Sequence, residues 1–199
     1  MSQILLLQSS LNGPASRTNQ LMERFLQTRR EQGHQDQVVV RDLTALDLPV
    51  LDSPLFHALR GAEPANEAIR QAVALSDRLI AELKAADLLL IGAPMYNLNV
   101  PTPLKNWFDL VVRAGVTFRY TDTYPMGLVE GVNALVFSSR GGVHQGQTTD
   151  AVTPYLKSVL GLMGITEVEF VYAEGMDLRP HGAEQGMREA HARIAGLGR

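Results

Sequence analysis

The chain of 199 residues contains no cysteine. Structural disulfides, thiolate-bound iron–sulfur clusters and thiol nucleophiles are therefore all excluded. If this protein transfers electrons, an organic cofactor must carry them. We also predict no metal site.

Long runs of one kind of residue are missing too. No basic run is longer than Arg29-Arg30, and 18 Lys and Arg residues stand against 21 Asp and Glu residues, which gives a net charge of -3. This balance argues against nucleic acid or an anionic membrane as the main partner. No apolar run approaches the roughly 18 residues of a membrane-spanning helix, and no basic segment precedes the apolar run at residues 4–7. We expect a cytoplasmic protein with neither a nucleic-acid nor a membrane partner.

Hydrophobic residues, by contrast, make up 45% of the chain, which is enough for one domain with a substantial core. We predict a single domain over residues 1–199, because no linker is visible. Apolar runs predict five strands that alternate with amphipathic helical patterns. The predicted strands are residues 3–8, 38–40, 88–91, 133–138 and 168–173. This alternation favours a doubly wound α/β fold, a parallel five-stranded sheet in the order 2-1-3-4-5 with helices on both faces.

Capping residues and apolar spacing set the predicted helix ends. The predicted limits are Ser16 or Thr18 to near Gly33, residue 66 to 85, Thr149 or Asp150 to Gly164, and residue 184 to 195. A further helix follows residue 101, and its apolar stripe includes Trp107. We expect that tryptophan in the core or at a subunit interface rather than against a cofactor.

Three unusual loops follow the first, third and fourth predicted strands. Residues 9–19 are rich in hydroxyls before a helix, a composition that suits a phosphate or serves only to cap the helix. Their spacing matches neither a Walker A loop nor a Gly-x-Gly-x-x-Gly fingerprint. Residues 92–103 contain three prolines and two asparagines, and residues 139–146 contain the pair Gly141-Gly142, whose backbone can approach a flat ligand. In the predicted strand order these loops meet at one crevice, which favours a planar phosphorylated ligand such as FMN.

Two other segments have no clear periodicity. Residues 42–64 form a long connection that we expect to cover the sheet edge. Residues 115–130 are rich in aromatic side chains, and we interpret them either as a lid or interface segment or as a surface excursion packed on its own aromatics.

Several stretches carry a family resemblance over nearly the whole chain. They are Ala-Pro-Met-Tyr-Asn at 93–97, Leu-Lys-Asn-Trp-Phe-Asp at 104–109, Arg-Ala-Gly-Val-Thr-Phe-Arg-Tyr at 113–120, Ser-Arg-Gly-Gly at 139–142, Val-Thr-Pro-Tyr-Leu at 152–156 and Ala-Glu-Gly at 173–175. Together they closely resemble the FMN-dependent NADH:quinone oxidoreductases known as azoreductases. The resemblance implies a flavodoxin-like fold, a homodimer with one FMN per subunit at the interface, and ping-pong reduction of quinones and aromatic azo compounds by NADH or NADPH.

The resemblance also implies roles for individual residues. The cofactor-binding residues would be Ser10, Ser16, Arg17, Thr18, Pro94, Met95, Tyr96, Asn97, Leu98, Ser139, Arg140, Gly141 and Gly142. The family often has Phe where this chain has Leu98. Arg60, Phe118 and Tyr120 would contact the substrate, the two aromatics as the wall of a neighbouring subunit's pocket.

The expected mechanism is hydride transfer through the flavin, with the protein supplying position and electrostatics. The amides of Gly141 and Gly142 are candidates for stabilising the charge that reduction creates. His144 is a candidate proton donor, or else a loop histidine bonded to the backbone. Alternatives are a flavodoxin-type electron carrier that does not turn over nicotinamide, a hydrolase using Ser10 with His144 or His181, and a binding or regulatory module.

Overall fold

The structure is a computed structural model that describes residues 1–197. Its seven strands within that range are β1 (Gln3–Gln8), β2 (Gln37–Asp42), β3 (Leu88–Gly92), β4 (Phe118–Arg119), β5 (Met126–Gly127), β6 (Asn133–Ser139) and β7 (Val168–Ala173). The α-helices of the same range are α1 (Arg17–Glu31), α2 (Ser53–Ala58), α3 (Glu67–Ala85), α4 (Thr102–Val111), α5 (Val152–Met163) and α6 (Gly182–Leu197). A short 3-10 turn, Gly13–Ala15, precedes α1.

Five parallel strands form the central sheet in the order β2-β1-β3-β6-β7. Because β6 and β7 are the fourth and fifth of the strands predicted from apolar runs, this order confirms the predicted 2-1-3-4-5. The chain has the flavodoxin-like fold expected of it, and its first, third and fourth strands are neighbours at the centre.

Helices cover both faces of the sheet and bury the two halves of the core. Helices α3, α4 and α5 pack on one face around side chains such as Leu79, Trp107 and Leu156. Helices α1 and α6 pack on the other face, where Phe25 and Ile194 lie against inward side chains of the central strands. Each inner strand is therefore covered on both sides, which explains why β1 and β3 are continuous apolar runs. Trp107 is fully buried in this core, as expected.

The helix ends follow local chemistry. Ser16 caps α1 by accepting a hydrogen bond from the N–H of Asn19 at 3.1 Å, and Asn66 caps α3 in the same way. Helix α5 starts after Ala151, and the carboxylate of Asp150 accepts from the N–H of Thr153 at 3.1 Å. Gly164 ends that helix with φ of +103°, a left-handed conformation that favours glycine. No helix within residues 1–197 is both long and apolar enough to cross a membrane.

Two segments are more ordered than their sequence pattern indicates. The connection over residues 42–64 contains α2, capped by Asp52, and the aromatic excursion contains the antiparallel hairpin of β4 and β5. A helix of six residues and strands of two are too short to show periodicity, so only tertiary contacts define them.

Candidate active site

The three loops predicted to meet do meet, and hydrogen bonds join them. The Tyr96 hydroxyl lies 3.2 Å from Ser10 Oγ and accepts a hydrogen bond from the N–H of Leu11 at 3.2 Å. The N–H of Met95 donates to the carbonyl of Ser139 at 2.9 Å. The loops after β1, β3 and β6 therefore border one crevice at the carboxyl edge of the sheet.

The first loop presents hydroxyls and amides at the start of α1. Ser16 and Thr18 are fully buried, and their hydroxyl oxygens lie 3.0 Å apart. Within residues 1–197 the N–H groups of Arg17 and Thr18 donate to no protein acceptor. The Arg17 side chain is exposed and contacts Gln20. Free amides at a helix N-terminus, hydroxyls and a nearby cation are the groups that hold a phosphate.

The second loop contains a tight turn with unusual backbone geometry. Tyr96 and Asn99 exchange two backbone hydrogen bonds, of 2.9 and 3.0 Å, around a two-residue turn. Asn97 and Leu98, the two residues of that turn, have φ of +50° and +64°. Asparagine tolerates this region, but leucine does so only at a cost of roughly 1–2 kcal/mol. Strain of this kind is typical of functional loops, and here it presents the Leu98 side chain 45% exposed. Pro94 is buried at the start of the loop.

The third loop offers two backbone amides. The carbonyls of Gly141 and Gly142 accept hydrogen bonds from the N–H groups of Asp177 and Gly175, at 3.0 and 2.9 Å. Within the described residues, the N–H groups of the two glycines donate to no protein acceptor. A Cβ at Gly142 would lie 2.9 Å from His144 Nε2, and one at Gly141 would collide with the Asp177 carboxylate. Only glycine therefore fits at either position without displacing a neighbour.

Arg140 differs from the other predicted contacts because its side chain is turned into the protein. The guanidinium is fully buried and binds Glu174 at 3.3 Å, Asp150 at 3.1 Å and Thr153 Oγ1 at 2.9 Å. It also lies 4.6 Å from the centre of the Tyr172 ring. Because the guanidinium is occupied by these partners, the predicted contact of Arg140 with the cofactor would have to come from its backbone. Its place is beneath the turn that carries the two glycines.

The titratable groups around Arg140 are shifted by this environment. Burial disfavours the charge on Asp150, but hydrogen bonds from Arg140 and Thr153 outweigh that effect and lower the pKa of Asp150. Burial raises the pKa of Tyr172. The cluster therefore holds an ionised carboxylate and a neutral phenol beside the guanidinium.

His144 lies beside the glycine pair. The ring Nδ1 is 2.8 Å from Thr149 Oγ1, and the backbone N–H of His144 donates to Glu174 Oε1 at 2.8 Å. The side chain is thus held by a hydroxyl rather than by backbone, and its Nε2 faces Gly142. Thr149, one of the two caps predicted for α5, has this role instead.

The three predicted substrate residues gather in a separate cavity of about 230 Å³. The Arg60 guanidinium lies 4.6 Å from the centre of the Phe56 ring, and the rings of Phe118 and Tyr120 meet edge to face at 5.3 Å. The structure adds Phe56 and Arg113 to this wall, neither of which was among the predicted substrate residues. Phe56 is on α2, a helix of six residues that is too short to show a periodic pattern, so only the structure identifies it as a cavity residue. None of the cavity residues belongs to the three loops.

The hydrolase alternative finds no support in this geometry. The Ser10 hydroxyl is engaged with Tyr96 and with the N–H of Asn12, and His144 is paired with Thr149. His181 is an exposed side chain 3.9 Å from Glu184. A nucleophilic serine is activated by a general base within hydrogen-bond distance, and neither histidine is shown in that position here.

Comparison with known proteins agrees with the fold. A family described as having the flavodoxin-like fold matches residues 2–197. The chain is 65% identical over 197 residues to FMN-dependent NADH:quinone oxidoreductase 4 of Burkholderia lata, covering 99% of each chain. It is 51% identical over 195 residues to the FMN-dependent NADH:quinone oxidoreductase of Escherichia coli K12, covering 98% of this chain and 97% of that one.

A solved structure also has this fold. The azoreductase from Bacillus anthracis superimposes with a TM-score of 0.87 at 29% identity, covering 100% of this chain and 99% of that one. The chain therefore belongs to the flavodoxin-like family of FMN-dependent NADH:quinone oxidoreductases and azoreductases.

Proposed function

We propose that this protein is an FMN-dependent NAD(P)H:quinone oxidoreductase that also reductively cleaves aromatic azo compounds. The observation that carries the proposal is the crevice where three loops bring together hydroxyls, a helix N-terminus and unpaired backbone amides. These groups fit a phosphorylated planar cofactor, and the names of the relatives supply the cofactor, the donor and the acceptors.

Different residues of the crevice would bind different parts of FMN. Ser10, Ser16, Thr18 and the amides at the start of α1 would bind the phosphate, with Arg17 adding a positive charge. The strained turn from Met95 to Leu98 and the turn from Ser139 to Gly142 would bracket the ring and its ribityl chain. Arg140 would serve this site by supporting the second turn.

When bound, FMN would supply a ring that accepts two electrons as hydride from NADH or NADPH. It would pass them to a quinone, or in two successive rounds to an azo bond, whose cleavage to two amines takes four electrons. Nicotinamide and acceptor need the same exposed face, so they occupy the site in turn, which gives ping-pong kinetics. The free amides of Gly141 and Gly142 are suited to stabilise negative charge on a neighbouring ring. His144, with Nδ1 held by Thr149, would hold a proton at Nε2 for the product.

The cavity of Arg60, Phe118 and Tyr120 would contribute the acceptor wall. It shares no residue with the three loops of the crevice. We propose a homodimer in which the cavity of each subunit faces the crevice of its partner. Apolar and aromatic walls with one cation suit flat aromatic acceptors.

The competing function is a flavodoxin-type electron carrier. Such carriers are usually strongly acidic so that they can dock to their partners, whereas this chain has a net charge of only -3. The acceptor cavity also favours an enzyme, since a carrier has no use for it.

An anaerobic absorbance experiment separates the two. We expect flavin bands that bleach on addition of NADH and return on addition of a benzoquinone, with the same cycle when a soluble azo dye replaces the quinone. Flavin that NADH does not bleach would favour the carrier. Protein that neither contains nor takes up FMN would contradict both.

A further inference from the structure

Two motifs of the family resemblance, at residues 152–156 and 173–175, have no part in the proposed cofactor contacts. In the fold each contributes one side chain to the surroundings of Arg140, namely Thr153 and Glu174. We call the set of Arg140, Asp150, Thr153, Tyr172 and Glu174 the Arg140 cluster. It lies at the base of the turn whose glycine amides border the crevice.

Glu174 ties that turn together with a single carboxylate oxygen. Its Oε1 accepts hydrogen bonds from the backbone N–H groups of His144 and Gln145, both at 2.8 Å, and from Arg140 Nη1 at 3.3 Å. The three donors span residues 140–145, so the segment between them, with Gly141 and Gly142, is fixed at both ends. No other side chain of the described residues binds both ends of this segment.

The cluster also carries charge. Arg140 contributes one positive charge, fully buried, and Asp150 and Glu174 lie within 3.1 and 3.3 Å of it. One positive and two negative charges leave an excess of one negative charge. Because the cluster is sheltered from water, that charge acts on its neighbours at a lower effective dielectric constant than a surface charge would.

We propose that Glu174 is a positioning residue of the cofactor site, whose carboxylate holds the turn of residues 140–145 in shape and whose charge lowers the reduction potential of the bound flavin. This inference rests on the proposed function. Reduction adds negative charge to the flavin, and the excess negative charge of the Arg140 cluster opposes it. Removing the Glu174 charge should therefore favour the reduced form.

The experiment compares Glu174→Gln and Glu174→Ala with a matched control, Glu169→Gln. Glu169 is on β7, the strand that ends one residue before Glu174, and it pairs with Arg193 at the surface. Within the described residues it makes no hydrogen bond to the Arg140 cluster. Three quantities are measured: amide hydrogen exchange at residues 141–145 of the FMN-free protein, the Kd for oxidised FMN, and the midpoint potential of the bound flavin.

In Glu174→Gln the amide oxygen still accepts from the two backbone N–H groups, so exchange should stay close to that of the control. Reduced FMN should bind roughly three- to tenfold more tightly relative to oxidised FMN. A tenfold change corresponds to a rise of about 30 mV for a two-electron couple. In Glu174→Ala the amides of His144 and Gln145 should exchange roughly tenfold faster or more, and FMN should bind more weakly.

A potential in Glu174→Gln equal to that of Glu169→Gln would overturn the electrostatic role, and unchanged exchange in Glu174→Ala would overturn the role in holding the turn. If the wild-type protein binds no FMN, the proposed function fails and the electrostatic role fails with it. The exchange measurement on the FMN-free protein still decides whether Glu174 holds the turn.

Discussion

At the scale of single residues, Arg17 illustrates a conflict between stability and binding. It stands at the first position of α1, exposed, where a positive charge opposes the helix dipole. We predict that Arg17→Ala leaves the FMN-free protein as stable or more stable by about 0.3 kcal/mol. The same change should weaken FMN binding by roughly fivefold, the value of one exposed charge, and leave riboflavin binding unchanged because riboflavin has no phosphate.

Fluorescence titration with both flavins and urea unfolding measure these effects. The control is Arg30→Ala, an exposed arginine in the last turn of the same helix. It should not alter the affinity for either flavin. Equal loss of FMN and riboflavin affinity in Arg17→Ala would show that the arginine does not contact the phosphate.

Leu98 provides a second test at this scale. Its φ of +64° is unfavourable for leucine, and 45% of its surface is exposed, so removing the side chain loses less burial than at a core leucine. Leu98→Gly creates Asn-Gly, the pair preferred in such a two-residue turn. We predict a gain of roughly 0.5 kcal/mol in the free energy of unfolding of the FMN-free protein, because relief of strain exceeds the entropy cost of glycine.

The control for this change is Val143→Gly, at an exposed apolar loop residue without a positive φ. It should lower stability, since only the entropy cost remains. Urea unfolding of both variants is the measurement. A loss of stability in Leu98→Gly as large as in Val143→Gly would mean that the positive φ of Leu98 does not destabilise the fold.

At the scale of elements, the β4–β5 hairpin depends on a close approach between two glycines. A Cβ on Gly127 would overlap the backbone of Gly164, the residue that ends α5. The adjacent N–H of Val129 donates to the carbonyl of Met163 at 2.9 Å. We predict that Gly127→Ala costs roughly 2 kcal/mol or more, because the hairpin must separate from α5.

Helix α5 offers a matched control for that change. A Cβ at Gly161 meets no atom within 4 Å, and the residue is inside the helix. Gly161→Ala should stabilise the protein by about 0.5–1 kcal/mol. Differential scanning calorimetry of the two variants gives both values. Similar melting temperatures would contradict the close contact between hairpin and helix.

The link between α1 and β2 has a pH dependence. Arg29 binds Asp36 through two hydrogen bonds of 2.6 and 2.9 Å, and these bonds lower the pKa of Asp36. Because the folded pKa lies below the unfolded value of about 3.8, the pair stabilises the fold above that pH. The contribution is lost as the pH falls through the lowered pKa.

We therefore predict that Asp36→Asn lowers stability at pH 7 and that the difference from wild type shrinks below about pH 3.5. Urea unfolding across this range is the measurement. Glu67→Gln, which removes an exposed partner of Arg70, is the control and should change stability little at any pH. A difference for Asp36→Asn that does not depend on pH would contradict the role of the charge.

At the scale of the whole molecule, the proposed homodimer predicts that two variants with defects in different parts of the site restore activity when they are combined. One inactive variant combines Arg60→Ala with Tyr120→Ala in the cavity, and another carries Gly142→Val in the crevice. Mixed by co-expression, the two should regain about a quarter of the wild-type activity. Random pairing makes half of the dimers mixed, and one of the two sites in each mixed dimer has no defect.

If the cavity and the crevice of one chain form the same site, the mixture should show only the mean activity of the two variants, with no recovery. Sedimentation of the wild type and of each variant checks whether they form the proposed dimer.

The alternation of apolar strands with amphipathic helices was sufficient to predict the sheet and its order. Strand limits at residues 3–8 and 168–173 agree with those of the structure. In β1 the sequence signal is a continuous apolar run, because that strand is covered on both faces. The convergence of three loops also followed from strand order alone, since the carboxyl ends of neighbouring parallel strands meet at one edge.

Other features depend on contacts that no local pattern contains. Arg140 stands in a motif beside two glycines, and only the positions of Asp150, Thr153 and Glu174 around it show that its side chain points into the protein. The short helix α2 and the β4–β5 hairpin are likewise held by packing across the fold. The sequence by itself therefore determined the sheet and the edge that carries the site, because burial imposes a pattern on each strand and helix. The tertiary structure decided which side chains face the crevice, because that depends on partners far apart in the chain.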